Sequence, residues 1–383
     1  MNKPIYLDNQ STTPLDPKVL EAMLPYLKNK FGNASSIHHS YGQENKEAVE
    51  GARLMVAQSI CSDKRDIIFT SGATESINLA LKGLCQSYNG VGHIITQNTE
   101  HRAVLDTCRA LESEGWKISY LPVDKDGLID SQSILNAICK ETVLVAIMHA
   151  NNEIGTIQPI GDIGEICRKE GITFFVDASQ SFGRLDIDVQ NMKIDILAAT
   201  AHKAYGPKGI GFLYVRQKSP KINLKMQIDG GGHERGLRSG TLAVHQIIGL
   251  AKAVEIFIEC KENENERLRL LRDKMFYAIK TAFPDLILNG SSLSKRLPNN
   301  LNICFPGVEA ESLIMKMKGV ACSTGSACSG SSLEPSHVIR ALGRDTETAH
   351  SAIRLSLGRF NTEAEIDFAI KEIKKALSSL MKD

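Results

Sequence analysis

Residues 142–178 read TVLVAIMHANNEIGTIQPIGDIGEICRKEGITFFVDA. An apolar, β-branched run comes first, a stretch with apolar residues at helical spacing follows, and a second apolar run closes the segment. Strand, helix, strand in that order joins two parallel strands of one sheet, because such a crossover needs a dozen or more residues. The alternation continues outward. DIIFT (66–70), HIITQ (93–97), ISYLPV (118–123), IDILAATA (194–201) and GIGFLYV (209–215) are set among amphipathic helical stretches. The pattern predicts an α/β fold with a mostly parallel, seven-stranded sheet in a large domain. From Val244 to Ala282 no proline or strand signal intervenes, and Ile247, Ile248, Ala251, Val254 and Ile258 recur at helical spacing. One long helix is predicted there, with the polar KENENE at 261–266 as the place where it would break. The remainder mixes helix and strand around the small-residue loop STGSACSGSS, then ends in an amphipathic helix from about Glu363 to Met381, which makes a smaller α+β domain.

The chain of 383 residues is long enough for two domains without disulfide or metal support. Its 45 Lys and Arg nearly balance 44 Asp and Glu, so no global field draws it to nucleic acid or an anionic membrane. No signal-like or membrane-spanning apolar stretch is visible, and a cytoplasmic protein is expected. Nine cysteines without framework spacing then read as reduced thiols. Cys108, Cys139 and Cys167 fall in apolar stripes at helical spacing and Cys304 in a strand-like run, so burial is expected for all four.

In sheets of this class, ligands gather where strands end and helices begin. Four such places carry polar residues: Ser71 to Glu75, His101, Asp177 to Gln180, and Thr200 to Lys203. In FTSGATES the helix start offers backbone amides and the hydroxyls of Ser71 and Thr74 to a phosphate, although the same residues also suit a plain helix cap. Asp177, after three apolar residues, is a carboxylate that needs a cation if buried; a protonated pyridine nitrogen is one such cation. Lys203 precedes a Gly/Pro turn, and a lysine amine that can lose its proton condenses with an aldehyde cofactor. His101 can stack on an aromatic ring and move protons near neutral pH, or simply cap the next helix. Cys328 lies among Ser, Gly and Ala, not in an apolar stripe, and is expected to be exposed and mobile, as a nucleophilic thiol requires. Cys322, at the end of a strand-like run, is the weaker candidate. No paired Cys/His spacing marks a metal site, and no Gly-x4-Gly-Lys-Ser/Thr phosphate loop is present.

Taken in order, YLDNQSTTP, FGNASS, FTSGATES, TEHRAV, MHANNEIG, VDASQS, HKAYGPKG, GGGHERGLRSGT, STGSACSGSSLEPS and IRLSLGRF resemble the motifs of the class I cysteine desulfurases, from residue 5 to about 375. The resemblance implies a pyridoxal 5'-phosphate (PLP) enzyme of fold type I, a homodimer, converting L-cysteine to L-alanine with sulfur left on Cys328 as a persulfide. It implies Lys203 bonded to the cofactor aldehyde, Asp177 at the pyridine nitrogen, and His101 stacked on the ring and acting as acid/base. Ala73, Thr74, Thr200 and His202 would cradle the phosphate, with Thr241 reaching it from the partner subunit. Asn152 and Gln180 would hold the phenolic oxygen side, and Arg354, with Asn152 beside it, would take the substrate carboxylate. The acceptor of the sulfur would be a protein such as an iron–sulfur scaffold, with tRNA thiolation a further destination and no direct nucleic-acid or membrane partner. The large domain would span 15–258, and the small domain 1–14 and 259–383, carrying the cysteine loop at about 321–333. Three departures stand out: Thr200-Ala201 replaces the usual Ser-Gly before His-Lys, Ala34 replaces a proline, and the chain stops soon after its last helix. A selenocysteine lyase or related PLP enzyme, and a non-catalytic sulfur relay, are the competing readings.

Overall fold

Strict alternation of side chains decides how the seven apolar runs are used. Along β5 (Thr142–Met148), Val145 and Ile147 point to one hydrophobic cluster and Leu144 and Ala146 to another; Phe174 and Val176 oppose Phe175 in the same way. A sheet with two apolar faces must be covered on both, and the helices do this. The helix Ser40–Gln58 and the start of the helix Val244–Ala282 cover one face, and Ala73–Cys85 with Arg102–Ser113 cover the other. Burying each large apolar side chain there contributes roughly 1.5–3 kcal/mol.

The protein is described by a computed structural model covering residues 3–218, 220–324 and 334–381. A short strand, β1 (Ile5–Tyr6), comes first. The large sheet then contains β2 (Ile67–Thr70), β3 (His93–Gln97), β4 (Lys117–Leu121), β5, β6 (Thr173–Asp177), β7 (Ile196–Thr200) and β8 (Gly211–Val215). Its order is β2-β8-β7-β6-β5-β3-β4. β8 runs antiparallel to both β2 and β7, while the other pairings are parallel, so the expected mostly parallel, seven-stranded sheet is present. The smaller α+β part has its own sheet of β9 (Ile287–Leu288), β10 (Asn300–Cys304) and β12 (Ala352–Ser356), while β11 (Val320–Ala321) pairs with β1. A separate cluster of Leu268, Met275, Leu301, Ile353, Ile366, Ile373 and their neighbours forms its core, with Leu7 contributed from the N-terminus.

The long helix is not broken at KENENE. It runs from Val244 to Ala282, 39 residues, and those polar residues face partners instead of solvent alone. Glu264 pairs with Arg184 and Arg359, Lys261 with Asp186, and Asn265 donates to the Arg184 carbonyl. A polar stretch that the sequence marks as weak is thus where the helix passes from one hydrophobic core to the other.

Candidate active site

The strand ends converge on one cavity of about 420 Å³. Nine of the expected residues line it: Ala73, Thr74, His101, Asn152, Asp177, Gln180, Thr200, His202 and Lys203. They come from the ends of β2, β3, β5, β6 and β7, of which the last four are adjacent and parallel, so strand ends deliver residues far apart in sequence to one place.

At the β2 end, Gly72 has φ +150° and no side chain to cap the helix Ala73–Cys85, so the helix start opens into the cavity. A Cβ on Gly211 would lie 2.5 Å from the Ala199 carbonyl and 2.8 Å from Gly72 Cα, so β8 can pass this turn only as glycine. Ser71 is held by its backbone amide donating to Glu75, which is paired with Arg238 at 2.9 Å.

Asp177 is only 4% exposed, and its Oδ1 accepts from the amide and hydroxyl of Ser179. His101 caps the helix Arg102–Ser113, with Nδ1 accepting from the Ala103 amide at 3.1 Å, and it also lines the cavity. With Nδ1 an acceptor, the proton of the neutral ring sits on Nε2. Burial, then the positive charge of Lys203, hold this imidazole below its usual pKa, with Asp177 opposing. His202 is pushed down to about 4, again by burial first and Lys203 second, and its Nδ1 lies 3.1 Å from Thr12 Oγ1. Gln180 donates to the Gln10 carbonyl, and Asn152 Oδ1 is buried without a hydrogen-bond partner among the described residues.

Two expected residues, Arg354 and Thr241, are not in this cavity's wall. Arg354, on β12, is 1% exposed and donates to the Asn152 carbonyl at 2.7 Å, to Asp8 at 2.8 Å and to Ser11 Oγ at 2.6 Å. It therefore borders the cavity through Asn152 and Ser11. Thr241 is exposed and stands outside the cavity of its own chain. Cys328 lies outside the described residues. Among the other cysteines, Cys108, Cys167 and Cys304 are buried as expected, but Cys139 is exposed. The helix Ser131–Ala137 ends before it, and its thiol meets His93 and Glu141, so the apolar stripe does not reach that position.

Sequence reading gave no role to Ser11 and Thr12, which line the cavity, or to Asp8, which holds Arg354. The signal available was the unbroken polar run Asp8-Asn9-Gln10-Ser11-Thr12-Thr13 directly after an apolar strand, longer than a simple turn needs.

The aminotransferase class-V family matches residues 5–368. Cysteine desulfurase IscS from Pseudomonas aeruginosa is 52% identical over 383 residues, 99% of this chain and 94% of the relative, and cysteine desulfurase IscS from Klebsiella pneumoniae is equally similar. Among solved structures, a NifS-like protein superposes with a TM-score of 0.91 at 36% identity, covering 98% of this chain and all (100%) of that one. SspA in complex with cysteine gives 0.82 at 38% identity over 94% of this chain and 100% of that one. The chain belongs to the class-V aminotransferase family, on its cysteine desulfurase branch.

Proposed function

We propose that this protein is a PLP-dependent cysteine desulfurase that takes sulfur from L-cysteine onto Cys328 and releases L-alanine. The observation that carries this reading is one cavity bringing together Lys203, the buried Asp177 carboxylate, His101 and an uncapped helix start. Each feature has a counterpart in the cofactor: an amine for the aldehyde, an anion for the protonated ring nitrogen, a flat ring for stacking, and free amides for the phosphate. The buried, unpartnered Asn152 Oδ1 is a further polar atom left for a ligand. The residues present fit the group.

When bound, PLP supplies an electron sink that labilises bonds at the substrate's α and β carbons. Ala73, Thr74, Thr200 and His202 hold the phosphate, with Thr241 of a partner subunit completing the cradle in a homodimer. His202, whose pKa burial and then Lys203 lower, would donate a ring N–H to the phosphate. Asp177 keeps the ring nitrogen protonated, Gln180 and Asn152 orient the opposite ring edge, and Arg354 offers its guanidinium to the cysteine carboxylate. Lys203, as a free amine, would take the proton from the substrate's α carbon. His101, neutral and with its proton on Nε2, exchanges a proton with the substrate thiol. The Cys328 thiolate then attacks the substrate sulfur; the new S–S bond forms as the C–S bond breaks, and its electron pair stays with the three-carbon skeleton, which is protonated and leaves as alanine. A sulfur-acceptor protein such as an iron–sulfur scaffold takes the persulfide sulfur, in a cytoplasmic setting. We divide the chain into a large domain, 15–258, and a small domain of 1–14 and 259–383.

The test is direct. Purified protein is expected to be yellow and to form alanine from cysteine in equal amount to the sulfide released by a thiol reductant. Cys328→Ala keeps the colour and loses at least about 100-fold in turnover, and Lys203→Ala loses the borohydride-trapped cofactor adduct. A colourless protein that does not take up PLP refutes the reading, and full desulfurase turnover in Cys328→Ala points to a lyase that needs no persulfide.

A further inference from the structure

Two buried carboxyl residues that the chemistry above leaves without a task stand next to site residues: Glu100 precedes His101, and Glu153 follows Asn152, at 0% and 4% exposure. Both are joined to the same short element. The helix His337–Ala341 is the first helix after the stretch containing Cys328. Its N-cap, Ser336, accepts from the Val338 and Ile339 amides and donates its hydroxyl to Glu153 Oε2. The next residue, His337, donates from Nε2 to the Glu100 carbonyl at 3.1 Å.

From the other side Glu153 is equally tied down. Its amide donates to Asn151 Oδ1 at 2.8 Å, and its carbonyl accepts from Asn300 at 2.8 Å and from Asn302. Val338 and Ile339 pack with Ile154, Leu342 and Ala352, so the apolar side of the helix is fixed to the same turn. Capping alone does not require Glu153, because a serine hydroxyl satisfies the helix amides without a carboxylate behind it. Burial pushes the Glu153 carboxyl up to about 7, against the pull of Ser336, Arg354 and Arg102. A carboxyl in so costly a place needs a partner, and among the described residues its side chain hydrogen-bonds to Ser336.

We propose that Glu153 and Ser336 form a positioning clasp that fixes the downstream end of the Cys328-bearing stretch to the Asn152 turn, and so sets the rate of sulfur transfer. It is a positioning role, acting through Cys328, and it rests on the reading of Cys328 as the sulfur carrier. Glu153→Ala removes the clasp while leaving both helix-capping bonds of Ser336 in place. Glu153→Gln keeps an oxygen that accepts from Ser336, and Ser336→Thr keeps the hydroxyl.

The experiment mixes holoenzyme with cysteine in a single turnover and follows three signals: the cofactor absorbance before mixing, its change on mixing, and persulfide on Cys328 by mass spectrometry after rapid quenching. Glu153→Ala and Ser336→Ala are expected to keep the first two and to lose about tenfold or more in the third, since small misplacements of reacting groups cost on that order or more. Glu153→Gln and Ser336→Thr are expected to stay within about threefold of the parent. Persulfide formed at the parent rate in Glu153→Ala or Ser336→Ala overturns the clasp, as does a loss of the mixing signal in step with the persulfide. If Glu153→Ala does not fold, Ser336→Ala and its threonine rescue decide the matter. An unmodified parent that takes up cysteine but puts no persulfide on Cys328 overturns the functional reading itself, and the clasp with it.

Discussion

Asp177 and His101 each gain their chemistry from a single neighbour. The Ser179 amide and hydroxyl stabilise the Asp177 carboxylate at one oxygen, in a place too buried for water to do so. Asp177→Asn keeps the shape and removes the charge that would hold a ring proton. Hydrogen bonds to charged groups contribute about 1.5–3 kcal/mol, so alanine formation is expected to fall roughly 10- to 100-fold, checked by steady-state kinetics at saturating PLP. For His101 the Ala103 amide fixes the tautomer, and the capping histidine read from the sequence also lines the cavity. Lys203 sits in the short 3-10 turn Ala201–Lys203, and two residues later Tyr205 takes φ +62°, a backbone state that costs a tyrosine about 1–3 kcal/mol. Tyr205 is held there by Thr13, Arg184 and Arg359, with the Arg359 guanidinium 4.2 Å from its ring centroid.

Elements place these residues, and the loop between β8 and the long helix shows how a polar loop is pinned. Glu234 and Arg235 both have positive φ, at 48° and 58°, and Glu234 is 7% exposed. Arg53, on the helix Ser40–Gln58, meets Glu234 through two bonds of 2.7 Å each and lies 4.6 Å over the Phe69 ring; the Phe69 amide donates to the same carboxylate. Arg53→Met keeps most of the side-chain volume but strands a buried carboxylate, which costs about 3–5 kcal/mol. Urea denaturation of the variant is expected to show that loss, and Arg53→Met combined with Glu234→Gln to recover part of it. Thr241 lies at the end of the same loop.

At the scale of the whole molecule, two cores meet across a network rather than a hinge of glycines. Arg359, from the small core's side, pairs with Glu264 on the long helix and Asp16 at the start of the first helix, and its amide donates to Tyr205 beside the lysine turn. Among the described residues no helix is long and apolar enough to cross a membrane. Acid should weaken the fold at a definite place: burial pushes His149, 4% exposed, down to about 4. A folded pKa below the usual 6.5 means that the neutral ring's contribution is intact above about pH 6.5 and is lost as pH falls toward 4. Between pH 7 and 5 the loss carried by His149 is about 2 kcal/mol. It is read as the difference in urea stability between the parent and His149→Asn at the two pH values; equal pH dependence in both proteins would remove this role.

Local pattern was enough for the seven strands, the helix that His101 caps and the polar residues at strand ends, because alternation, helical spacing and turn residues act over a few positions. The resemblance of ordered motifs added Arg354 and Thr241, which no local pattern marks. Three things needed the folded chain. The continuity of the long helix depends on Arg184, Asp186 and Arg359, which lie outside it in sequence. The N-terminal Ser11 and Thr12 reach the cavity, and Asp8 reaches Arg354, only because β1 pairs with β11 and Asp8 bridges to Ser356 on β12. The pairing of Glu153 with Ser336 joins positions 183 residues apart. Long-range contacts of this kind carry no periodicity to read; they exist because burial forces polar groups to find partners wherever the packed chain offers them.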